Sequence, residues 1–256
     1  MSLASQLEPF RDSLRVVFND RFIGDEGARE LARFLGEHRR VEVLEIKSND
    51  IGSDGFQEIF SALTRNVNLR QLIIEYNNLG ESAYDDWQDK LTSVLELCPK
   101  FERLNISNNK VTSEAFKRLI PGLAASKSLK MVECRYNQIN SGDVDYLATE
   151  LKQAHNENLL YVELSGNKIK KESIDGLEAV LKANRAKNPI SKDKIMMSGG
   201  AFVEGQAGST VQAGTFYQGK TNAIDDLSKD NVVRHLEEIL DQNRKDTAEM
   251  KIRLER

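Results

Sequence analysis

Residues 41–51 read VEVLEIKSNDI, and this spacing of apolar residues ahead of an asparagine decides the fold. The same spacing starts again at residues 69, 101, 129 and 159. A degenerate first copy covers residues 13–23 and has Arg21 where the others have asparagine. The copies therefore recur about every 28 residues. A fixed period in this range is typical of a solenoid, whose stacked units usually present a binding surface.

Each copy predicts a strand, a turn and a helix. Apolar and polar side chains alternate in residues 43–47, as in a half-buried strand. Asn49 follows at the turn, where its amide can hydrogen-bond unpaired backbone groups, so stacked copies are expected to form an asparagine ladder. The apolar residues of 56–63 recur at helical spacing, and Ser53 and Asp54 are the candidate helix caps.

The repeats resemble the leucine-rich repeat family, and specifically its long, ribonuclease-inhibitor-like type. The signature Asn-x-Ile-Gly-x-x-Gly carries the resemblance, and residues 23–27 and 51–55 match its Ile-Gly-x-x-Gly part best. The resemblance covers residues 13–187. It implies a right-handed α/β solenoid, a horseshoe of about six repeats with the strands on its concave side. Because Arg21 replaces the ladder asparagine, the first copy is expected to be a loosely held cap.

The chain is expected to contain four segments. Residues 1–12 form an N-terminal flank, residues 13–188 the solenoid, residues 189–225 a glycine-rich linker or short β-ribbon, and residues 226–256 an amphipathic C-terminal helix. Within the linker, the lysine-rich stretch 191–194 is interpreted as a solvated connector.

The C-terminal helix carries a heptad-like apolar seam. We expect the seam to form a homodimer, to enter a groove on a partner or to cap the solenoid. Its self-association residues are Val233, Leu236, Leu240, Met250 and Leu254.

Composition narrows the class of protein. A net charge of −4 argues against nucleic acid as the main partner. No run approaches 18 apolar residues, so no membrane partner is expected. Cys98 and Cys134 fit neither a disulfide framework nor a metal site. The start of the chain lacks the pattern of a signal peptide, which favours a cytoplasmic protein, or a host-cytosol one if it is a secreted bacterial effector.

The sequence contains no convincing catalytic constellation, and no cofactor is expected. The three histidines lie far apart. Residues 214–221, GTFYQGKT, match the phosphate-binding Walker A pattern, but too few residues follow to complete its sheet, so we interpret the match as chance. An enzymatic alternative is a GTPase activator, because the loop containing Asn77 and the position of Arg21 resemble the Ran GTPase activators.

The side chains between the buried strand positions are expected to point into the concave face. Tyrosine, methionine and arginine are enriched in interface cores. Ile73 and Met131 are expected to face solvent, and an acidic column of Glu45, Glu133 and Glu163 indicates a partner with basic groups. The predicted partner-binding residues are Glu45, Ile73, Glu75, Tyr76, Arg103, Met131, Glu133, Arg135, Tyr136, Tyr161 and Glu163.

The function predicted from these patterns is non-catalytic binding of a partner protein. Such a module is typical of an adaptor, a cytoskeletal regulator resembling the tropomodulin repeat domain, or a bacterial effector. A second alternative is an assembly protein that dimerises through the C-terminal helix.

Overall fold

Strands and helices alternate along the chain in the computed structural model, which describes residues 2–80 and 86–198. A single 3-10 turn, Glu8–Phe10, precedes the first strand. The strands are β1 (Arg15–Val17), β2 (Val43–Glu45), β3 (Gln71–Ile73), β4 (Arg103–Asn105), β5 (Met131–Glu133) and β6 (Tyr161–Glu163). The helices are α1 (Leu3–Leu7), α2 (Gly24–Glu37), α3 (Ser53–Leu63), α4 (Trp87–Leu97), α5 (Ser113–Ala125), α6 (Ser141–Gln153), α7 (Lys171–Lys187) and α8 (Lys192–Met196).

The strands form one open, parallel sheet in sequential order, β1 to β6. Corresponding repeat positions pair throughout, so that Leu44 lies beside Leu72 and Leu72 beside Leu104. Each of the strands β1 to β6 is followed by a helix, as the repeat period predicts. The predicted α/β solenoid is therefore confirmed.

The first repeat is held in register with the second. Strand β1 pairs with β2, and Val16 and Phe18 are buried in the core. The backbone N–H of Arg21 donates to Asn49 Oδ1 at 3.1 Å. Strand β1 is a terminal strand of the sheet, as expected of a cap, and the asparagine of the next repeat supplies the acceptor for the backbone N–H of Arg21.

The core lies between the sheet and the helices. Its largest buried side chains include Trp87 and Phe101, and the rings of Phe56 and Phe60 stack with their centroids 5.5 Å apart. Full burial of such a side chain stabilises the fold by roughly 1.5–3 kcal/mol. No repeat contains enough apolar surface to form this core alone, so stacking of neighbours is what makes the sheet stable.

The predicted asparagine ladder is present at the turns after strands β2 to β6. Asn137 Oδ1 accepts from the backbone N–H groups of Asn109 and Val111, both at 3.0 Å. Its Nδ2 donates to the carbonyls of Ile106 at 3.0 Å and Cys134 at 3.2 Å. The same pattern links the neighbouring ladder residues Asn49, Asn77, Asn109 and Asn167.

Helix α3 is capped from the preceding repeat. Ser53 and Asp54 were predicted as its caps, but Asp25 Oδ1 instead accepts from the N–H groups of Gly52 at 2.7 Å and Gly55 at 3.2 Å. A Cβ at Gly55 would lie 2.8 Å from the Cβ of Ala28. The glycines of the signature thus allow adjacent helices to approach closely enough for this capping across repeats.

The chain beyond the last repeat contains a short helix where the structure describes it. Helix α7 ends at Lys187, and Ser191 then caps α8 by accepting from the N–H of Lys194 at 3.3 Å. Residues 191–194 are all exposed, as expected of a solvated stretch, but the prediction missed that Lys192–Met196 form a helix. The rest of the linker from residue 199 onward lies outside the described residues, together with the Walker A match and the whole C-terminal helix with its self-association residues.

Candidate functional site

The sheet face opposite the helices, the concave face, is more buried than alternation alone predicts. Ile73 is only 3% exposed and Met131 only 1%. The side chains of Gln71 and Arg103, at the same strand position as Met131, are also buried. The expectation that Ile73 and Met131 face solvent was wrong. Met131 is covered by a segment that follows the last repeat.

Residues 190–198, which we call the strap, lie over the start of strands β3 to β6. Buried Ile195 packs against Met131 and Leu160, and Ile190 packs beside Tyr161. Gln71 Nε2 donates to the carbonyls of Ile195 at 3.2 Å and Met196 at 3.1 Å, and it also bonds Ser198. These carbonyls lie at the C-terminal end of α8, and the Ile195 carbonyl also accepts from the backbone N–H and the hydroxyl of Ser198, at 3.2 and 2.8 Å.

Tyr161 was predicted as an exposed partner contact, but it is half-buried against the strap. Its hydroxyl donates to the carbonyl of Ile190 at 2.8 Å. The guanidinium of Arg185 and the ammonium of Lys192 lie 5.2 and 5.3 Å from its ring centroid. Tyr161 thus contacts the strap and the end of α7 in its own chain.

The acidic column is neutralised within the protein. Arg103 Nε lies 2.7 Å from Glu133 Oε2 in a buried ion pair, and Arg103 Nη1 also donates to Gln71 Oε1 at 3.3 Å. Arg135 lies 3.8 Å from Glu133 and 3.7 Å from Glu163. Glu163 in turn pairs with Lys192 of the strap. We call this connected series, from Gln71 to Lys192, the charge chain.

Glu45 is also paired, with Arg15 at 2.9 Å and Lys47 at 3.1 Å. Burial by itself raises the pKa of Glu45, but the hydrogen bond from Asn19 and the charges of Lys47 and Arg15 outweigh it and lower the pKa overall. All three carboxylates of the acidic column are therefore paired within the protein, so the column does not indicate a basic partner.

A second surface on the same face is open, at the turns that end β3, β4 and β5. Tyr76 and Tyr136 are 57% and 60% exposed, although large aromatic side chains usually bury most of their surface. Together with Asn108, Lys110 and Gln138 they line a shallow depression. We call these five residues the tyrosine edge. Arg135 and Glu75, both half-buried, lie directly before the two tyrosines in the chain.

The backbone of the tyrosine edge is strained. Tyr76, Asn108 and Tyr136 all have left-handed backbone, with φ of 56°, 54° and 51°. The same turn position in the last repeat holds Gly166, with φ of 77°, and a Cβ there would collide with the ring of Tyr136. Left-handed geometry suits glycine and asparagine, whereas a bulky residue there costs roughly 1–2 kcal/mol. Sequence reasoning identified the tyrosines but missed this conformation.

The two residues of the enzymatic alternative each make contacts within the repeats. Asn77 is buried, and its side chain donates to the carbonyls of Ile46 and Ile74 at 3.0 Å in the ladder. Arg21 is exposed with its guanidinium 5.4 Å from the ring centroid of Phe18. Within residues 2–80 and 86–198, histidine, cysteine and acidic side chains form no cluster suited to a metal ion.

The two cysteines are buried and unpaired. Burial raises the pKa of the Cys98 thiol to about 11, and burial with the nearby Glu133 charge also raises the pKa of Cys134. Both side chains therefore remain protonated at neutral pH and are poor nucleophiles. In the part of the chain that the structure describes, no helix combines the length and apolar character needed to cross a membrane.

Comparison with protein-family models matches residues 155–177 to the family described as Leucine Rich repeat. This stretch contains β6 and the first turns of α7. No curated protein sequence matches the chain.

Three solved structures are similar in fold at low identity. The tropomodulin C-terminal domain of Caenorhabditis elegans is 14% identical with a TM-score of 0.44, covering 74% of this chain and 96% of that one. Leiomodin-1 actin-binding site 2 is 14% identical with a TM-score of 0.45, covering 73% and 89%. An internalin from Listeria monocytogenes is 13% identical with a TM-score of 0.29, covering 56% and 54%.

Proposed function

We propose that this leucine-rich repeat protein binds a partner protein, without catalysis, through the tyrosine edge of its concave face. The observation that carries the proposal is the pair of exposed tyrosines, Tyr76 and Tyr136, held in left-handed backbone. Strained backbone at exposed aromatic residues is retained at functional sites more often than elsewhere, because the strain needs a compensating use.

The two tyrosines suit recognition of a protein surface. They follow β3 and β5, two strands apart, so their turns are separated by on the order of 10 Å. Tyrosine supplies a large contact area with few rotatable bonds, which keeps the entropy cost of binding low. The amides of Asn108 and Gln138 lie around the same depression and offer hydrogen bonds to the partner. An aromatic pair surrounded by polar groups is the usual arrangement of an interface hot spot.

The proposal keeps part of the predicted partner-binding set. Tyr76 and Tyr136 make the central contacts, and Arg135 and Glu75 lie beside them. The remaining predicted residues are engaged within the protein, because they form ion pairs, pack in the sheet or contact the strap. These are Glu45, Ile73, Arg103, Met131, Glu133, Tyr161 and Glu163.

The partner can be sought with a matched set of full-length proteins immobilised on beads. The set contains the wild type, the double variant Tyr76→Ala/Tyr136→Ala, and the control Tyr146→Ala. Tyr146 is 38% exposed but lies on α6, away from the concave face. Unchanged thermal stability of all three confirms that each is folded.

We expect the wild type and Tyr146→Ala to capture the same protein from a cytosolic lysate, and the double variant to lose at least tenfold of it. Titration of the purified partner then gives the affinities. Equal capture by all three proteins would contradict the proposal. Of the finer roles proposed, an adaptor, a cytoskeletal regulator or a bacterial effector, the cytoskeletal one predicts that the wild type sediments with actin filaments and that the double variant does not.

A further inference from the structure

The strap occupies the concave face in the manner of a bound peptide. Apart from Ile195, which is buried, its side chains remain half-buried or exposed, and Met197 is 78% exposed. Its main-chain carbonyls at residues 190, 195 and 196 accept hydrogen bonds from side chains of the strands. Backbone recognition with one or two side-chain anchors is typical of peptide binding by a preformed surface.

The receiving surface belongs to the solenoid and does not depend on the strap for its backbone. Gln71, Met131 and Tyr161 lie on β3, β5 and β6. The backbone hydrogen bonds of these strands run to neighbouring strands of the sheet. With the strap absent, this groove would present an apolar floor at Met131 and Leu160, an amide donor at Gln71 and a carboxylate at Glu163. These are the complements of an isoleucine, a backbone carbonyl and a lysine.

The strap itself is weakly built. Helix α8 has five residues, far fewer than the roughly 12–15 that an isolated helix needs to be even marginally stable in water. Its order therefore comes from contact with the groove. Segments with few buried side chains open at a small fraction of the free energy of global unfolding.

We infer that the strap is an intramolecular ligand of a peptide-binding groove, and that the groove accepts from a partner protein a segment of the same chemistry. That segment carries two branched aliphatic side chains five residues apart, at the positions of Ile190 and Ile195, and a lysine between them that pairs with Glu163. The strap and the partner segment compete for one site. This groove is distinct from the tyrosine edge and does not require it.

The test uses a fluorescent synthetic peptide of residues 187–200, KNPISKDKIMMSGG, added to the full-length protein. In the wild type the strap blocks the groove. In the variant Ile190→Asp/Ile195→Asp the strap cannot dock, because a carboxylate would be buried beside Met131 or Tyr161. We expect this variant to bind the peptide at least tenfold more tightly than the wild type does.

Changes in the peptide identify the contacts. Ile195→Asp or Lys192→Glu in the peptide should each weaken binding at least tenfold, whereas Asp193→Asn, at an exposed position, should leave it within twofold. If the double variant of the protein does not fold, the milder Ile195→Ser replaces it. Equal peptide binding by wild type and strap variant, or binding by neither, overturns the inference. Because the tyrosine edge is intact throughout, that failure would leave the proposed function standing.

Discussion

Asn137 illustrates how one side chain joins three repeats. Its amide accepts two N–H groups from the repeat before it and donates to carbonyls of that repeat and of its own, while its own N–H donates to Asn167. Sequence could predict this role, because asparagine recurs at a fixed position where the chain must turn. These four bonds of the Asn137 side chain are buried, so each is hard to replace.

Asn137→Ala should lower the free energy of unfolding by about 2–4 kcal/mol, because a buried backbone group left unpaired costs about 1–3 kcal/mol. Urea unfolding followed by circular dichroism measures the change. The matched control is Asn78→Ala, whose amide bonds Asp50 at the surface and which should change stability by less than about 0.5 kcal/mol. Similar losses for both variants would show that the ladder is not what holds the turns.

Three other asparagines also hydrogen-bond backbone carbonyls, but the sequence analysis did not predict them. Asn66, Asn156 and Asn184 are buried near the ends of helices and donate to carbonyls such as that of Val41, at 2.7 Å from Asn66. Three residues before the first apolar position of a repeat, asparagine alternates with other types, such as Cys98 and Ser126. The residue type at this position varies, which hides the pattern. Its distance from the next repeat is constant, and this distance is the signal that could have revealed it.

The left-handed tyrosines could not be predicted from residue type, because tyrosine normally avoids that conformation. Neighbouring repeats give the missing signal, since aspartate, serine, asparagine and glycine fill the same turn position elsewhere. Tyr76 and Tyr136 are therefore the two residues at this position that the turn geometry does not favour.

At Tyr76, glycine should be more stable than alanine by about 1–2 kcal/mol, because both variants remove the ring and only glycine relieves the left-handed strain. The order should reverse at position 176 on α7, where Gly176→Ala should stabilise by roughly 0.4–1 kcal/mol, since a Cβ there meets open space. Thermal or urea unfolding of the variants measures both. A more stable alanine at position 76 would contradict the strained geometry.

Among the elements, the strap is the one that periodicity could not reveal. Its helix is too short for a 3.6-residue pattern, and its two isoleucines are anchored to strands about 30 to 65 residues earlier in the chain. Alternation predicts which side chains of β3 to β6 point to the concave face. It could not predict that another part of the same chain covers them.

Glu102 links the strap to the sheet electrostatically. Burial by itself raises its pKa, but Lys130, the Ser198 hydroxyl and Arg70 outweigh burial and lower the pKa from 4.5. A carboxylate with a depressed pKa in the folded state stabilises the protein above its unfolded pKa, and that stabilisation is lost as the pH falls through the folded pKa. The pH window is therefore below about 4.5.

Glu102→Gln should reduce stability at pH 7 relative to the wild type, and the difference should shrink as the pH falls below about 4.5, because the wild-type carboxyl then becomes neutral as well. Urea unfolding across this pH range measures it. Glu157→Gln is the control, since Glu157 pairs with Lys187 at the exposed surface and such pairs contribute little. A difference between wild type and Glu102→Gln that is constant with pH would rule out the electrostatic contribution.

At the scale of the whole molecule, the solenoid was the most predictable feature and the concave face the least. The solenoid follows from local spacing that repeats six times, so each copy supports the assignment of the others. Which concave residues stay accessible depends on a long-range contact, and the predicted single binding face is in fact divided. The strap closes the start of the strands, and the tyrosine edge remains open at their ends.

Hydroxyl-radical footprinting of the full-length protein, read by mass spectrometry, tests this division most directly. We expect fast oxidation of Tyr76, Tyr136 and the exposed strap residue Met197, with Met131 protected at least tenfold relative to Met197. Both methionines have the same intrinsic reactivity, so their ratio reports burial. Oxidation of Met131 as fast as Met197, or protection of Tyr76 and Tyr136, would contradict this division.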